Sequence, residues 1–228
     1  MKTKNKKPKR GKALVLLSGG QDSSTALFWA KKKFRKVEAV SFDYGQRHKI
    51  ELKSAKKTAK LGHVRHTVVP VKEYKKIRNS SLLNRSIKPG TKHKLDRRLP
   101  SSFVPGRNIL FLTAAAALAY SRGIKNLVIG VSQVDYSGYP DCRQGFIRSM
   151  SKSLSLGMGR PVKIHTPLIK KDKKSVVLMA KKLGVLEYMK YTHTCYMGGK
   201  KPCGKCPACV LRAKGFKQAG IKDPLTAV

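Results

Sequence analysis

Five short apolar runs alternate along the chain with longer segments of helical character, and this alternation constrains the fold more than any other feature. The runs occupy 13–17, 37–42, 64–69, 126–131 and 162–167. Strands that alternate with helices predict an α/β protein with a doubly wound, five-stranded parallel sheet of the Rossmann-like class. The helices are predicted at 22–34, 50–62, 108–123, 146–157 and 172–184. In such a sheet, ligands bind beyond the carboxyl ends of the strands.

The chain is strongly basic, with 51 Lys and Arg against 11 Asp and Glu and a formal net charge of +40. A charge of this size attracts anions, including nucleic acids. The basic residues are spread along the whole chain, so we expect a solvated basic surface with nonspecific nucleic-acid binding rather than a dedicated site. No apolar run reaches the roughly 20 residues that a membrane helix needs. We therefore expect a soluble, cytoplasmic protein with no membrane partner.

The stretch LSGGQDSS at 17–24 directly follows the first predicted strand. Its adjacent glycines allow backbone N–H groups to approach an anion, and Ser18, Ser23 and Ser24 add hydroxyl donors at a helix N-terminus. It lacks the Gly-Lys-Ser/Thr ending with which an ordinary P-loop holds a terminal phosphate and its magnesium ion. The pattern predicts an anion-binding loop, with a purely structural turn as the alternative.

Polar residues also follow the second predicted strand and open the third predicted helix. Asp43 and Tyr44 are predicted to contact a nucleoside, although Asp43 also suits a simple turn, and His48 alone indicates only a surface histidine. Arg107 is predicted to hold a phosphate or carboxylate in a bidentate pair. Asn108 is an equally good candidate for a helix N-cap, which is a structural role.

The segment after the fourth strand combines two acids, two aromatic rings and a guanidinium group within nine residues. These residues are Asp135, Tyr136, Tyr139, Asp141 and Arg143. Aromatic faces stack on planar heterocycles, and carboxylates accept hydrogen bonds from amidine-like N–H groups. The segment therefore predicts a site for a guanine-type ring.

Four of the five cysteines lie close together near the C-terminus: Cys195, Cys203, Cys206 and Cys209. Their C-x7-C-x2-C-x2-C spacing is too tight for separate disulfides and suits a tetrahedral zinc ion. Four thiolates leave no open coordination position, so we expect a structural Zn²⁺, one per chain. Cys142 stands apart and is either a buried spectator or a thiol on the substrate side.

These features divide the chain into three parts. Residues 1–11 are rich in Lys and Arg and are predicted to form a disordered basic tail. They are not interpreted as a secretory signal, because no apolar region of the required kind follows them. Residues 12–184 are predicted to form a nucleotide-binding α/β domain, in which the polar segment 71–102 is interpreted as a lid. Residues 185–228 are predicted to form a small subdomain around the four cysteines.

The motifs together resemble a known family of enzymes. The blocks SGGQDS, FDYGQRH, FVPGRNILFL, DYSGYPDCR and CGKCPAC occur in the order found in 7-cyano-7-deazaguanine synthases of the queuosine pathway. That family belongs to the PP-loop N-type ATP pyrophosphatases, which have the adenine nucleotide alpha hydrolase fold and cleave ATP between its α- and β-phosphates. The resemblance covers about 12–224 and implies that the glycine loop holds a leaving pyrophosphate, for which no P-loop lysine is needed.

The resemblance implies a reaction and a set of site residues. ATP would adenylate 7-carboxy-7-deazaguanine, ammonia would displace AMP to give the amide, and a second ATP would drive dehydration to the nitrile, with Mg²⁺ as cofactor and a homodimer as the assembly. Catalytic roles fall on Asp22, Ser23 and Arg107. The implied nucleotide contacts are Leu17, Ser18, Gly19, Gly20, Gln21, Asp22, Ser23, Ser24, Thr25, Ala26, Leu27, Asp43, Tyr44, Gln46, Arg107 and Asn108. The implied substrate contacts are Asp135, Tyr139, Asp141 and Arg143.

Two other functions compete with this one. A PP-loop enzyme that activates a tRNA base for thiolation would account for the positive charge, but it would leave the segment DYSGYPDC unexplained. A zinc-stabilised RNA-binding module without catalysis would leave the glycine loop unexplained. The chain also departs from the family pattern, because Gln133 and Gln144 stand where relatives carry acidic residues.

Overall fold

The computed structural model describes residues 10–134 and 138–226 and shows a five-stranded, all-parallel sheet with strand order β3-β2-β1-β4-β5. The strands are β1 (Arg10–Leu16), β2 (Phe34–Asp43), β3 (Arg65–Pro70), β4 (Asn126–Ile129) and β5 (Lys163–His165). The α-helices are α1 (Gln21–Lys33), α2 (Ile50–Leu61), α3 (Arg107–Ser121), α4 (Gln144–Gly157), α5 (Lys173–Lys182) and α6 (Pro207–Gln218).

Helices cover both faces of the sheet, and the residues of β1 alternate between them. Ala13 and Val15 pack with residues of α1 and α2, including Leu27. Leu14 and Leu16 lie in a second cluster with residues of α3 and α4. A strand that is buried on both faces must be apolar at successive positions, as this one is. The prediction of a doubly wound parallel sheet is confirmed.

The sheet has its switch point between β1 and β4. The chain builds outward from β1 through β2 to β3 and then returns to place β4 and β5 on the other side. The connections leaving β1 and β4 therefore diverge and open a crevice at the carboxyl ends of these two strands. Gly130, directly after β4, closes the base of this crevice, since a Cβ there would lie 2.9 Å from the carbonyl carbon of Asp22.

Two segments differ in detail from their predicted descriptions. β1 begins at Arg10, so the last two residues of the predicted tail belong to the sheet. The segment 71–102, predicted as a lid, contains a short 3₁₀ helix (Lys72–Lys76) and turns. It is nevertheless attached to the core, because Leu82 is 2% exposed within the apolar cluster that includes Leu112.

The C-terminal segment shares a core with the sheet domain. Phe216 of α6 packs in one cluster with Phe28 of α1 and Val177 of α5. The side chain of Arg212 is buried and donates through Nε and Nη2 to Asp223, at 2.6 and 2.8 Å. The same guanidinium group donates to the Thr192 hydroxyl at 2.6 Å. This network fixes the chain that leads into the cysteine cluster.

Most carboxylates in the described part of the chain are held by a basic side chain or by a backbone N–H group. The ion pairs are Asp22–Lys173, Glu38–Arg122, Asp43–Lys49, Asp96–Arg98 and Asp223–Arg212, and the Glu51 carboxylate lies 3.2 Å from the His48 imidazole. Because so few acids face solvent alone, the excess of lysine and arginine defines the surface charge. None of the helices described is both long and apolar enough to cross a bilayer.

Candidate active site

A cavity of about 290 Å³ lies in the crevice at the carboxyl ends of β1 and β4. Its walls come from the loop after β1, the connection between β2 and α2, the start of α3, the loop after β4, the start of α5 and the C-terminal segment. The lining includes Ser18, Gly20, Gln21, Asp22, Ser23, Tyr44, His48, Glu51, Arg107, Asn108, Tyr139, Cys142, Lys173, His193 and Tyr196.

The loop at 18–24 depends on the absence of a side chain at Gly19. This residue has φ of +90°, and a Cβ there would lie 2.2 Å from the backbone oxygen of Glu51 in α2. The loop is closed by hydroxyl groups, with the Ser18 and Ser23 oxygens 3.0 Å apart and the Ser23 hydroxyl donating to the Gly20 oxygen at 3.1 Å. These contacts place the loop at the N-terminus of α1, where the helix dipole favours an anion.

Polar atoms of the loop are buried without protein partners. Both amide atoms of Gln21 and the Oδ1 atom of Asp22 make no hydrogen bond within the described ranges 10–134 and 138–226. A buried polar atom without a partner is unfavourable unless a ligand, ion or water satisfies it. Because both residues line the cavity, these atoms are placed to contact a ligand or a metal ion.

Lys173 is a site residue that the sequence analysis missed. Its ammonium group lies 2.5 Å from the second carboxylate oxygen of Asp22. It reaches this position from the first turn of α5, and α6 packs directly on that turn, since a Cβ at Gly215 would lie 2.6 Å from the Lys173 Cβ. In the sequence, Lys173 is set apart only by its position directly after Asp172, the N-cap of α5. The Asp172 carboxylate accepts a hydrogen bond from the Ser175 N–H at 2.8 Å.

The opposite wall presents a guanidinium group among phenols. Arg107 interacts electrostatically with Tyr44 and Tyr139, and burial raises the pKa of Tyr44 above its ordinary value, so this phenol is neutral at physiological pH. The Tyr139 hydroxyl lies 2.6 Å from the Ser102 hydroxyl, and its ring stacks on Phe103 with the centroids 6.1 Å apart. This wall offers a flat aromatic surface beside a fixed cation.

The start of α3 corrects the prediction for Asn108. The N-cap is Gly106, with φ of +69°, and makes no side-chain cap. Asn108 lies inside the helix, and its Nδ2 donates to the Asp141 backbone oxygen at 3.2 Å. The Asp141 carboxylate accepts from the Asn108 backbone N–H at 3.3 Å. Asn108 therefore connects α3 to the loop after β4. The neighbouring Cys142 thiol is buried, and burial raises its pKa to about 12.

Several residues predicted for the site lie outside the cavity lining. Asp43 accepts from the Gly45 N–H at 3.2 Å and from Lys49 at 3.1 Å, in a turn, and the Gln46 side chain bonds the backbone of Phe42 and Tyr44. The others outside the lining are Gly19, Ser24, Thr25, Ala26, Leu27, Asp141 and Arg143. Asp135 falls outside the described residues.

The structure also corrects the expectation for His48. It is 5% exposed and lines the cavity, 3.2 Å from the Glu51 carboxylate. His193, which the sequence analysis passed over, donates its backbone N–H to the Gly19 oxygen at 2.9 Å. Burial lowers the pKa of the His193 imidazole, so it is neutral at pH 7. The spacing of these two histidines gives no sign that they converge.

The four C-terminal cysteines converge as predicted. Their sulfur atoms all lie within 4.8 Å of one another, with Cys206 and Cys209 3.5 Å apart and Cys203 and Cys209 4.0 Å apart. Zinc–sulfur bonds of about 2.3 Å in a tetrahedron require sulfur–sulfur separations of roughly 3.8 Å. Backbone N–H groups also donate to the sulfurs, as from Cys206 to Cys203 at 3.3 Å. The cluster fits a tetrahedral metal ion with four thiolate ligands.

The fold and this site define an α/β protein with an anion-binding loop at the carboxyl ends of a doubly wound parallel sheet. The family model described as "Queuosine biosynthesis protein QueC" matches residues 12–220, and the chain belongs to this family. The resemblance inferred from the sequence motifs is thereby confirmed.

Curated relatives match over nearly their whole length. The chain is 52% identical over 216 residues to a 7-cyano-7-deazaguanine synthase of Chromobacterium violaceum, covering 94% of this chain and 92% of the relative. It is 48% identical over 213 residues to the protein of the same name from Laribacter hongkongensis, covering 93% of each. Among solved structures, a 4-thiouridine synthetase in complex with RNA and ATP aligns with a TM-score of 0.52 at 19% identity, covering 92% of this chain and 50% of that one. This likeness supports the fold alone.

Proposed function

We propose that this protein is an ATP-dependent ligase that converts 7-carboxy-7-deazaguanine and ammonia into 7-cyano-7-deazaguanine in queuosine biosynthesis. The reaction passes through an adenylated acid and an amide. The family match over residues 12–220 carries the proposal. The cavity supports it, because an anion-binding loop lies on one wall and a cation among aromatic rings lies on the other.

The loop at 18–24 binds the phosphates that leave as pyrophosphate. Its backbone N–H groups and the N-terminus of α1 face the anion, and Lys173 adds a positive charge beside Asp22. The unpartnered Oδ1 of Asp22 suits a Mg²⁺ ligand. Bound Mg²⁺ would supply charge neutralisation at the departing pyrophosphate. The Ser23 hydroxyl keeps the loop closed by donating to Gly20.

Arg107 and Tyr139 form the wall that receives the substrate acid. A guanidinium group binds a carboxylate in a bidentate pair, which places the carboxylate for attack on the α-phosphorus of ATP. The ring of Tyr139 offers a stacking surface for the deazaguanine base. Asp135 remains a predicted contact to the base. Asp141 acts through Asn108 by fixing the loop to α3.

The cysteine cluster binds a structural Zn²⁺, which the sulfur separations suit and which keeps the C-terminal segment in place. A homodimer and a cytoplasmic location follow the family resemblance. The net charge of +40 supports nonspecific nucleic-acid binding.

A substrate-dependent AMP assay tests the function. Purified protein with ATP, Mg²⁺, ammonium and 7-carboxy-7-deazaguanine is expected to release AMP and to form the nitrile, detected by mass spectrometry. A parallel reaction replaces the acid with tRNA and tests the thiolation alternative, which the bound RNA and ATP of the 4-thiouridine synthetase make worth including. AMP release that requires tRNA and not the acid would contradict the proposal.

The carboxylate of Asp22 is expected to be essential. Asp22→Asn keeps the size of the side chain but removes the charge beside Lys173, and turnover should fall by about 100-fold or more. Asp43→Asn is the matched control, because Asp43 is the last residue of the neighbouring strand β2 but lies outside the cavity lining. Equal turnover of the two variants would remove Asp22 from the catalytic residues.

A further inference from the structure

His48 lies in the turn between β2 and α2, at the edge of the cavity wall formed by the C-terminal segment. Its Nε2 is 3.2 Å from Oε2 of Glu51, three residues along the chain. Its Nδ1 is buried and has no hydrogen-bond partner among the described residues. Since His48 lines the cavity and is 5% exposed, one ring nitrogen is held by a carboxylate and the other is left for a ligand.

This arrangement is held from several sides. The other oxygen of the Glu51 carboxylate accepts from Gln46 Nε2 at 2.9 Å, which fixes its orientation. Gly198 approaches so closely that a Cβ there would lie 2.9 Å from the His48 Cα, and the Tyr196 ring lies 6.1 Å from the imidazole. With a fixed carboxylate 3.2 Å from Nε2, the tautomer that carries its proton on Nε2 is favoured, and Nδ1 is then the proton acceptor.

We infer that His48, oriented by Glu51, is the general base that accepts a proton from ammonium so that ammonia can attack the acyl-adenylate. This assignment rests on the proposed function. Ammonium gives one proton to Nδ1 of His48, and the freed nitrogen lone pair forms a bond to the acyl carbon. The bond from that carbon to the AMP oxygen breaks, its electron pair leaves with AMP, and the amide nitrogen gives a second proton to water.

The other titratable groups around His48 are less suited to this step. Tyr196 carries a phenol, which keeps its proton near neutral pH, and Nε2 of His193 is already held 3.1 Å from the Cys195 backbone oxygen. Asp22 is paired with Lys173. Glu51 faces His48 from α2 and stabilises the imidazolium that the step creates.

The nucleophile separates this role from a structural one. Amines such as ammonia are almost wholly protonated at neutral pH, whereas hydroxylamine is not, so only ammonium needs a base. His48→Gln retains a donor that can reach Glu51 but cannot take up a proton. In His48→Gln, two activities are expected to stay within about twofold of wild type: the exchange of pyrophosphate with ATP that requires the substrate 7-carboxy-7-deazaguanine, and hydroxamate formation from hydroxylamine. Amide formation from ammonium at pH 7 is expected to fall by about 100-fold.

The pH profile provides a second readout. Amide formation by His48→Gln should recover as the pH is raised toward that of free ammonia, whereas wild type gains far less. His63→Gln is the matched control because His63 is exposed. Should His48→Gln melt at a lower temperature than wild type, His48→Asn and Glu51→Gln are measured in the same way.

Three results would overturn the assignment. The first is a parallel loss of exchange, hydroxamate and amide formation in variants that melt like wild type. The second is unchanged amide formation from ammonium at pH 7. The third is a lack of any acid-dependent exchange in wild type, which would overturn the proposed function itself and is recognised before any variant is made.

Discussion

The glycine loop at 18–24 and the C-terminal segment at 193–212 line the same cavity, but they are held in different ways. The loop depends on local conformation: glycine at position 19, serine hydroxyl groups and a helix N-terminus. The segment depends on distant contacts, namely the cysteine cluster and the Arg212–Asp223 pair. The two meet where His193 N–H donates to the Gly19 oxygen. A local motif is therefore complete as a site only when long-range contacts bring the neighbouring wall into place.

The largest effect is expected from loss of the metal cluster. Cys206→Ser removes one of four thiolate ligands, so the protein should lose about one equivalent of bound metal, and its melting temperature should fall by roughly 10 °C. Metal analysis and thermal unfolding measure the two effects. Cys142→Ser is the matched control, since Cys142 is also buried but lies outside the cluster. Equal melting of the two variants would show that the cluster does not hold the C-terminal wall.

The next effect concerns the buried ion pair of the same segment. Arg212→Met leaves the Asp223 carboxylate buried without its partner and should lower the free energy of unfolding by about 3–5 kcal/mol. Replacing both residues, as Arg212→Met with Asp223→Leu, removes the uncompensated charge and should recover most of this loss. Denaturant unfolding measures both. A double variant as unstable as the single one would point instead to the hydrogen bonds that Arg212 gives to Thr192 and Met189.

A smaller effect on stability is expected in the glycine loop. Gly19→Ala combines a positive φ with a clash against the Glu51 backbone, and should cost about 3 kcal/mol. Gly45→Ala has a similar φ of +82° but no atom within 4 Å of the added Cβ, so only the conformational cost of about 1–2 kcal/mol applies. The difference between the two, measured by chemical unfolding, isolates the contact between the loop and α2.

The smallest effect is a pH dependence near the loop. His66 bonds Ser41 at 2.7 Å, and Ser41 donates to the Leu17 backbone oxygen directly before the loop. Burial, together with Lys56, lowers the pKa of His66 in the folded protein. His66 therefore binds a proton more readily in the unfolded state than in the folded one. The contribution of neutral His66 to the free energy of unfolding is complete above about pH 6.5 and decreases as the pH falls below that value.

His66→Gln should therefore reduce the loss of melting temperature between pH 7 and pH 5 by about 2 °C. Melting curves at the two pH values measure the change. His63→Gln replaces an exposed histidine and should leave the pH dependence as in wild type. A flatter pH dependence in His63→Gln than in His66→Gln would contradict this origin of the acid sensitivity.

The sequence predicted those parts of the structure that are determined locally. All five strands were found: the central strands β1 and β4 are mostly apolar because both their faces are buried, whereas the edge strands β3 and β5 are only partly buried and less apolar. Helix α6 was missed, because Gly215 lies within it and its apolar residues do not form a clear stripe along one face. Its packing against α5 and the adjoining cysteine cluster favour the helical conformation there. Asn108 was equally compatible with capping, and only the position of Asp141 shows its role.

The same limit applied to the candidate site. Glycines and serines in one short loop indicate anion binding by themselves, whereas Lys173 is one of 51 basic residues and only its position after the N-cap Asp172 sets it apart. Its role comes from the packing of α6 at Gly215, which is distant in the sequence. His48 became a candidate only because Gly198 and Tyr196 cover it.

The pairing of the carboxylates has a consequence for how the protein behaves in solution. Most of the described acidic side chains are paired with basic groups of the same chain. Two copies of the protein therefore meet with positively charged surfaces, which repel each other at low ionic strength. Salt weakens that repulsion, because the Debye length falls from about 30 Å at 0.01 M to about 8 Å at 0.15 M. Salt equally weakens the attraction that draws ATP and the substrate acid toward the cavity. Self-association and capture of anions should therefore respond to ionic strength in opposite directions.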